Sequence, residues 1–369
     1  MKRMFALLAV LVGCGSKPHH DVDADIVYAS DADPGDPVVS SFVFVGCNRL
    51  QKADLDPTNN PSSANLAELE QTFADIAALP DKPKYFFFTG DLVTALVSGS
   101  TTMQAQLDGW AQVWAGSPLA GQIDLVPIVG NHEMLVKNSK GDEVSNPAAD
   151  AVWIAWLGAN HFATHAGNGP TNNGPNDDAL QDDQRLLTYS FDDGGEHYIV
   201  LDTDSWTTTP DSTINSTKVG WVPVHWLAAD LAAAQANPAT TGIYVLGHKP
   251  LVAPSGADDG SLNPALVVPI EQLVDSTPKV KGWFDSHVHL WSATQLPGDR
   301  GVWQIIAGNG GSQLEASWTE PVPYFGFTVV KTYASGKVGV VSYKRTAPLP
   351  YNAQNPLPAV ASPEITIGQ

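Results

Sequence analysis

A layered α/β domain is the fold class that this chain predicts, and three observations carry it. Ten short runs rich in Val, Ile, Phe and Tyr mark strands at 41–46, 84–89, 124–129, 186–191, 197–202, 242–247, 280–285, 302–307, 326–332 and 337–344. Apolar residues at three-to-four spacing lie between several of them, so strands alternate with helices. Five of the runs stop abruptly at a short polar turn, as strands do beneath a site at the carboxyl edge of an α/β sheet. With 43% hydrophobic and 16% charged residues, the 369-residue chain has material for a sizeable core and is not of the disordered class. The formal net charge of −20 argues against nucleic acid or an anionic membrane surface as a partner. It leaves a small anionic substrate open, because a bound metal reverses the local field.

The chain opens MKRMFALLAVLVGCGS. Lys2 and Arg3 precede an apolar stretch, Met4 to Gly13, that is too short to span a bilayer. Its end, Leu11-Val12-Gly13-Cys14, resembles the lipobox of bacterial lipoproteins. Residues 1–13 then read as a lipoprotein signal peptide and Cys14 as the lipidated first residue, which anchors the protein to the membrane without threading it. The resemblance implies the bacterial cell envelope, and Gly15 after the cysteine points to the outer membrane. Residues 14–40, with Asp21, Asp23, Asp25, Asp31, Asp33 and Asp36, form an acidic tether. One domain follows, from 41 to 345. Within it Leu66, Leu69, Phe73, Ile76 and Leu79 keep helical spacing, and Trp221 to Gln235 is Ala-rich and amphipathic. Pro264 suits the first turn of a helix reaching Val274. The Gly/Asn/Asp-rich stretch 166–184 reads as a long surface loop, and 346–369 as a Pro-rich extended tail.

The turns that end the strands carry the chemistry. FFFTGD delivers Asp91, VPIVGNHE delivers Asn131, His132 and Glu133, IYVLGHKP delivers His248, and WFDSHVH delivers His287 and His289. Carboxylate, amide oxygen and imidazole together suit zinc, iron or manganese. His287 and His289 lie two apart and point to one side of an extended backbone, so each can serve one of two adjacent ions. A single ending of this kind is usually a plain turn; four in succession argue for a site. Asp202 and Asp285 are placed to orient metal-binding histidines from behind. Elsewhere His161 and His165 read as a surface pair, His197 and His225 as packing residues, and Trp206 and Trp291 as core or rim.

Gly90-Asp91, Gly130-Asn131-His132-Glu133, Gly247-His248 and His287-Val288-His289 resemble the motifs of the calcineurin-like metallophosphoesterases, in the style of the purple acid phosphatases. The flanking TYSFDDGGEHYIVLDTDS, HWLAADLAAA and IIAGNGGS runs agree, so the resemblance spans roughly 41 to 344. It implies a four-layer αββα sandwich of two mixed sheets flanked by helices. It also implies metal-dependent hydrolysis of a phosphoester, monoester or diester, with one or two ions per chain. Asp91 would bridge two metals, with Asn131, His248 and His287 completing one and His289 serving the other. His132 would protonate the leaving oxygen, with Glu133 supporting it. Thr94 stands where purple acid phosphatases have a tyrosine, so their iron–tyrosinate colour is not expected. Ser286 replaces a glycine, as a tolerated steric change. An amidohydrolase, also suggested by the paired histidines, would carry them after its first barrel strand rather than at 287 and 289.

The first run, FVFVGCNRL, departs from the pattern. The family places there an Asp, and a His two residues later, as ligands of the metal that His289 serves; this chain has Cys47 and Arg49. With Cys14 lipidated, Cys47 has no partner for a disulfide. Three readings stand. Cys47 thiolate replaces the carboxylate as a zinc ligand. Alternatively Arg49 fills the second metal's place and meets the phosphate through its guanidinium. Or Cys47 is a buried hydrophobe and the site has decayed. The functional expectation is a lipid-anchored metallophosphoesterase, with a non-catalytic surface lipoprotein that binds a phosphorylated ligand as the alternative.

Overall fold

The alternation of side chains along the strands sorts the core into three layers. In the computed structural model, Phe42 and Phe44 face one way and Val43 and Val45 the other, as period-two geometry requires. The structure describes residues 28–29, 35–50, 66–96, 100–141, 143–146, 148–162, 167–171, 178, 180, 184–205, 219–257, 260–319, 322–346 and 358–367. The expected signal peptide, Cys14 and most of the tether lie outside these residues, as do His165, Trp206 and most of 166–184.

The first sheet combines β1 (Tyr28–Ala29), β2 (Val38–Val45), β3 (Tyr85–Thr89), β4 (Asp124–Ile128), β15 (Tyr324–Tyr333), β16 (Val338–Thr346), β17 (Val360–Ala361) and β18 (Glu364–Ile367). Its order is β1-β18-β16-β15-β2-β3-β4, with β17 also on β16. β2, β3 and β4 are parallel, and the rest pair antiparallel. The second sheet holds β7 (Tyr189–Asp193), β8 (Glu196–Val200), β10 (Gly242–Leu246), β12 (Val280–Asp285), β13 (Trp291–Gln295) and β14 (Trp303–Ala307). Its order is β13-β14-β12-β10-β8-β7, parallel in the middle and antiparallel at both edges. Two small pairs remain, the antiparallel hairpin of β5 (Leu135–Lys137) with β6 (Glu143–Ser145) and the parallel pair of β9 (Val219–Gly220) with β11 (Ser261–Leu262).

Phe42, Phe44, Phe87, Tyr198, Tyr244 and Phe284 fill the space between the sheets, largely through edge-to-face ring contacts. The outer face of the first sheet, Val43, Phe86 and Phe88, is covered by α1 (Leu66–Ala77), α2 (Ser100–Ala115) and α4 (Ala149–Asn160), with the single turn α3 (Asn131–Met134) following β4. The outer face of the second, Ile199, Ile243, Val245 and Trp283, is covered by α5 (Val224–Ala236) and α6 (Pro264–Asp275). The arrangement is the four-layer αββα sandwich. α6 starts on Pro264, as its fixed φ favours.

Two boundaries differ from expectation. The end of the chain is not all extended tail: Val360–Ala361 and Glu364–Ile367 add to the first sheet, burying Ile365 and Ile367 in its core. The alternation Glu364, Ile365, Thr366, Ile367 is a strand pattern that the preceding prolines obscured. Within the expected tether, Tyr28–Ala29 pairs with that strand, and Asp36 accepts from the Ser335 backbone and hydroxyl. Among the described residues no helix is long and apolar enough to cross a membrane.

Candidate metal centre

The carboxyl ends of β2, β3, β4, β10 and β12 deliver the five polar turns to one place, because all five strands run parallel within their sheets. Tight backbone packing permits the convergence. Gly90, at φ +88°, has no room for a Cβ against the His248 ring, and a Cβ at Gly130 would strike Asp91. Four of the side chains delivered sit on backbone that L-residues avoid: Cys47, Arg49, Asp91 and His287 have φ of 60°, 57°, 55° and 59°. Such strain persists where surrounding structure over-determines it, and it concentrates at functional sites.

Four donors meet at His248. Its Nε2 lies 3.0 Å from Asn131 Oδ1, 3.1 Å from Asp91 Oδ1 and 3.1 Å from His287 Nδ1. All four residues are fully buried. His248 Nδ1 is 2.7 Å from the Thr89 carbonyl, which accepts its proton and leaves Nε2 as a lone pair. A neutral His248 thus turns a lone pair toward two oxygen acceptors and another ring nitrogen. A cation resolves that conflict, and donors about 2.0–2.2 Å from a shared metal stand roughly 2.8–3.6 Å apart, from octahedral to tetrahedral angles. The Asp91, Asn131 and His287 donors each stand at that spacing from His248 Nε2.

Charge balance follows from the same contacts. Burial works against ionisation of Asp91, but His132, His248 and Arg49 hold its carboxyl well below the usual range. For His248, burial disfavours the charged ring, yet Asp91 and the Thr89 carbonyl raise its pKa overall. A metal at Nε2 competes with a proton there. Burial, with His248 and Lys249 next, keeps His287 neutral; burial and Arg49 do the same for His289. Neutral imidazole is the form that ligates.

The remaining site residues are placed as follows. His132 Nδ1 lies 2.7 Å from the Thr94 carbonyl and Nε2 is 3.9 Å from Asp91 Oδ2. Burial and Arg49 push its pKa down to about 3, so it is neutral, and a proton-donor role requires the added charge of a bound phosphoester. Arg49 Nε donates to Asp91 Oδ2 at 3.0 Å. The donor atoms of Cys47, Asp91 and His248 lie within 4.8 Å of one another. His289 Nδ1 faces the Gln313 carbonyl at 2.7 Å, while its buried Nε2 makes no hydrogen bond.

Several expectations about supporting residues are corrected. Glu133 does not touch His132. Its carboxylate accepts from the backbone of Gly130, Asp91 and Val93 at 2.8, 3.0 and 3.0 Å, fixing the turn that carries Asp91. Burial and Asp91 nonetheless push its pKa up to about 8. Asp285 does not orient a histidine, since both its oxygens are buried without a hydrogen bond, and Asp202 accepts from the Asp204 backbone. Ser286 is more than a tolerated substitution, since its hydroxyl donates to the Thr89 carbonyl and lies 3.1 Å from His248 Nδ1. His197 is buried between Asp192 and Asp230, His225 is exposed beside Asp178, His161 is exposed, and the Trp291 indole donates to Thr328.

Three supporting residues had no signal in the motifs. Glu143, on the β5–β6 hairpin, accepts from Asn131 Nδ2 at 3.3 Å, which turns the amide oxygen toward His248. Lys249 and Asp204, both buried, pair at 2.6 Å beside His248. A run of basic and acidic residues flanking a ligand would have been the only hint.

Comparison with known proteins follows this geometry. A family model for calcineurin-like phosphoesterases matches residues 35–290. No curated protein matches the chain significantly. Among solved structures, a purple acid phosphatase from yellow lupin (Lupinus luteus) seeds is similar with TM-score 0.60 at 17% identity, over 91% of this chain and 55% of that one. This chain thus spans about half the length of the lupin enzyme. A dimetal phosphatase from Danio rerio is similar with TM-score 0.55 at 12% identity, over 90% of this chain and 99% of that one. At such identities the likeness is one of fold.

Proposed function

The chain belongs to the calcineurin-like phosphoesterases, and from that membership we propose that it hydrolyses a phosphoester with a metal ion held by Asp91, Asn131, His248 and His287. The observation that carries this is the His248 Nε2 lone pair ringed by Asp91 Oδ1, Asn131 Oδ1 and His287 Nδ1 at 3.0–3.1 Å. When bound, zinc, iron or manganese neutralises phosphoryl charge and lowers the pKa of water. The chain's own residues do the rest. Glu133 and the Thr89 carbonyl hold Asp91 and His248 in place. Glu143 aims the Asn131 oxygen. His132 stands at the edge of the donor set, where the charge of a bound substrate would make it a proton donor.

A second reading, a surface protein that binds a phosphorylated ligand without turning it over, is favoured by one observation. The Asp91 carboxylate that would reach a second ion is paired with Arg49. We also propose that Cys14 anchors the protein by lipid to the bacterial envelope, on the strength of the lipobox-like Leu11-Val12-Gly13-Cys14. The test of the enzyme reading is hydrolysis of aryl phosphate mono- and diesters by the purified chain, before and after chelation. Activity that vanishes with chelator, returns with added metal and is absent from His287→Ala supports hydrolysis. Activity indifferent to both removes it, and metal-dependent phosphate binding without turnover favours the second reading.

A further inference from the structure

We propose that this centre takes one metal ion, and that the guanidinium of Arg49 stands in the place of a second. The inference rests on the metallophosphoesterase reading of the site and adds to it a specific division of labour.

The Asp91 carboxylate decides the matter. Its Oδ1 faces His248 Nε2 at 3.1 Å and accepts from the His132 backbone at 3.1 Å. Its Oδ2 is engaged by Arg49 Nε at 3.0 Å. A carboxylate bridges two ions either through one shared oxygen or with one oxygen to each. In both modes a second ion would sit beside a carboxylate whose Oδ2 already neutralises a fixed cation. A dication beside that guanidinium would be repelled at contact range, next to an Asp91 that is fully buried.

The donors around the second position do not assemble. Asp91 is committed to Arg49, and the family's carboxylate and first-motif histidine are absent. Cys47 and His289 are what remain. Among the described residues, the Cys47 donor clusters with those of Asp91 and His248. His289 has a buried Nε2 with no hydrogen bond, and Arg49 is the largest charge acting on its ring.

The loop that brings Arg49 here is independently held. The backbones of Asn48 and Arg49 donate to the Asp91 carbonyl at 3.0 and 2.8 Å. Thr94 Oγ1 donates to the Arg49 carbonyl at 2.6 Å. Arg49 itself is kept at φ 57°, a conformation a flexible surface arginine would not retain. A guanidinium is always charged and offers five donors, so it keeps the electrostatic half of a second ion's work. It does not acidify water, so water activation falls to the single ion.

The experiment counts metal. The purified full-length chain is equilibrated with zinc or manganese, separated from free ion, and assayed for ions per chain; inorganic phosphate affinity is measured in parallel. Wild type should hold about one ion. Arg49→Ala should still hold one, because no donor is gained, and should bind phosphate about tenfold more weakly, the loss expected for a charged hydrogen bond. Cys47→Asp with Arg49→His supplies the missing carboxylate and imidazole and should hold two. If the double variant fails to fold, Arg49→Ala and Cys47→Ser still decide the question. Two ions in wild type, with one lost on Cys47→Ser, would overturn the inference and make Cys47 a ligand. Unchanged phosphate affinity in Arg49→Ala would also overturn it. No tightly held ion in wild type would instead bring down the metal-centre reading on which it rests.

Discussion

Asn131→Ala probes the metal centre with little collateral damage. It removes a neutral amide whose Oδ1 stands 3.0 Å from His248 Nε2 and whose Nδ2 is 3.3 Å from Glu143 Oε2. One donor of four is lost, and the half-buried Glu143 carboxylate loses one long hydrogen bond. His248→Ala, by contrast, would strip the buried Asp91 of a contact at 3.1 Å. Removing a residue that merely orients a ligand costs about 10–100-fold in metal affinity, so losing a ligand should cost about 100-fold at least. Metal binding stabilises the native state by about 2.7 kcal/mol when free ion is one hundred times Kd. At the same ion concentration a 100-fold weaker variant gains only about 0.4 kcal/mol. Large domains move about 2 °C per kcal/mol. Wild-type Tm should therefore rise about 5 °C on adding ion, and that of Asn131→Ala by about 1 °C or less. The assay is thermal unfolding by circular dichroism in buffered zinc or manganese, each protein compared with its own metal-free state. Equal ion-induced shifts in both proteins would mean that Asn131 is not a ligand, and the four-donor centre would fall.

Three other outcomes follow from particular contacts. Burial opposes a charge on His197, but Asp230 and Asp192, at 2.9 and 2.7 Å, raise its pKa overall. Its stabilising charge is therefore fully present below about pH 6.5 and lost as pH rises through the raised native value. The Tm deficit of His197→Gln should shrink from pH 6 to pH 9, and a constant deficit would rule the ion pairs out. Arg345, buried on β16, pairs with Glu68 at 2.7 Å and Asp75 at 2.8 Å on α1. Arg345→Ala leaves two carboxylates behind and should cost about 3–5 kcal/mol in urea unfolding, without changing metal stoichiometry in the folded fraction; a loss below about 1 kcal/mol would refute the clamp. Cys14→Ser should move the protein from the membrane to the soluble fraction, and retention in the membrane would point to a different attachment.

Periodicity made ten strands and three helices legible because each has a buried face, whereas β13 and the short pairs left no such run. Tyr85 and Phe87 point between the sheets while Phe86 and Phe88 point at the helices, so FFF reads as a strand buried on both sides. Two helices escaped the reading. α2 and α4 bury Trp110, Trp114, Trp153 and Trp156, but their apolar residues are interleaved with Gly, Gln and Ala rather than set out as a stripe. The last strand escaped because five prolines of the tail precede it, although two isoleucines at alternate positions are all that its buried face needs.

At the metal centre the donors were legible and their supports were not, for a physical reason. A ligand must be one of a few side chains, so Asp91, Asn131, His248, His287 and His289 announce themselves. What aims them is mostly main chain. The carbonyls of Thr89, Thr94 and Gln313 fix the tautomers of His248, His132 and His289, and any residue type supplies a carbonyl. Carboxylates were expected in that role, and this misplaced Asp285 and the partner of Glu133. Glu133 shows why the inference fails. A buried carboxylate beside a metal turn has three backbone N–H groups to satisfy before it can serve a neighbouring ring, and these groups come from Gly130, Asp91 and Val93. The same accounting makes Arg49 legible only in three dimensions. Its residue type announces a charge, but only the loop bonds to the Asp91 carbonyl place that charge on the carboxylate a second ion would need.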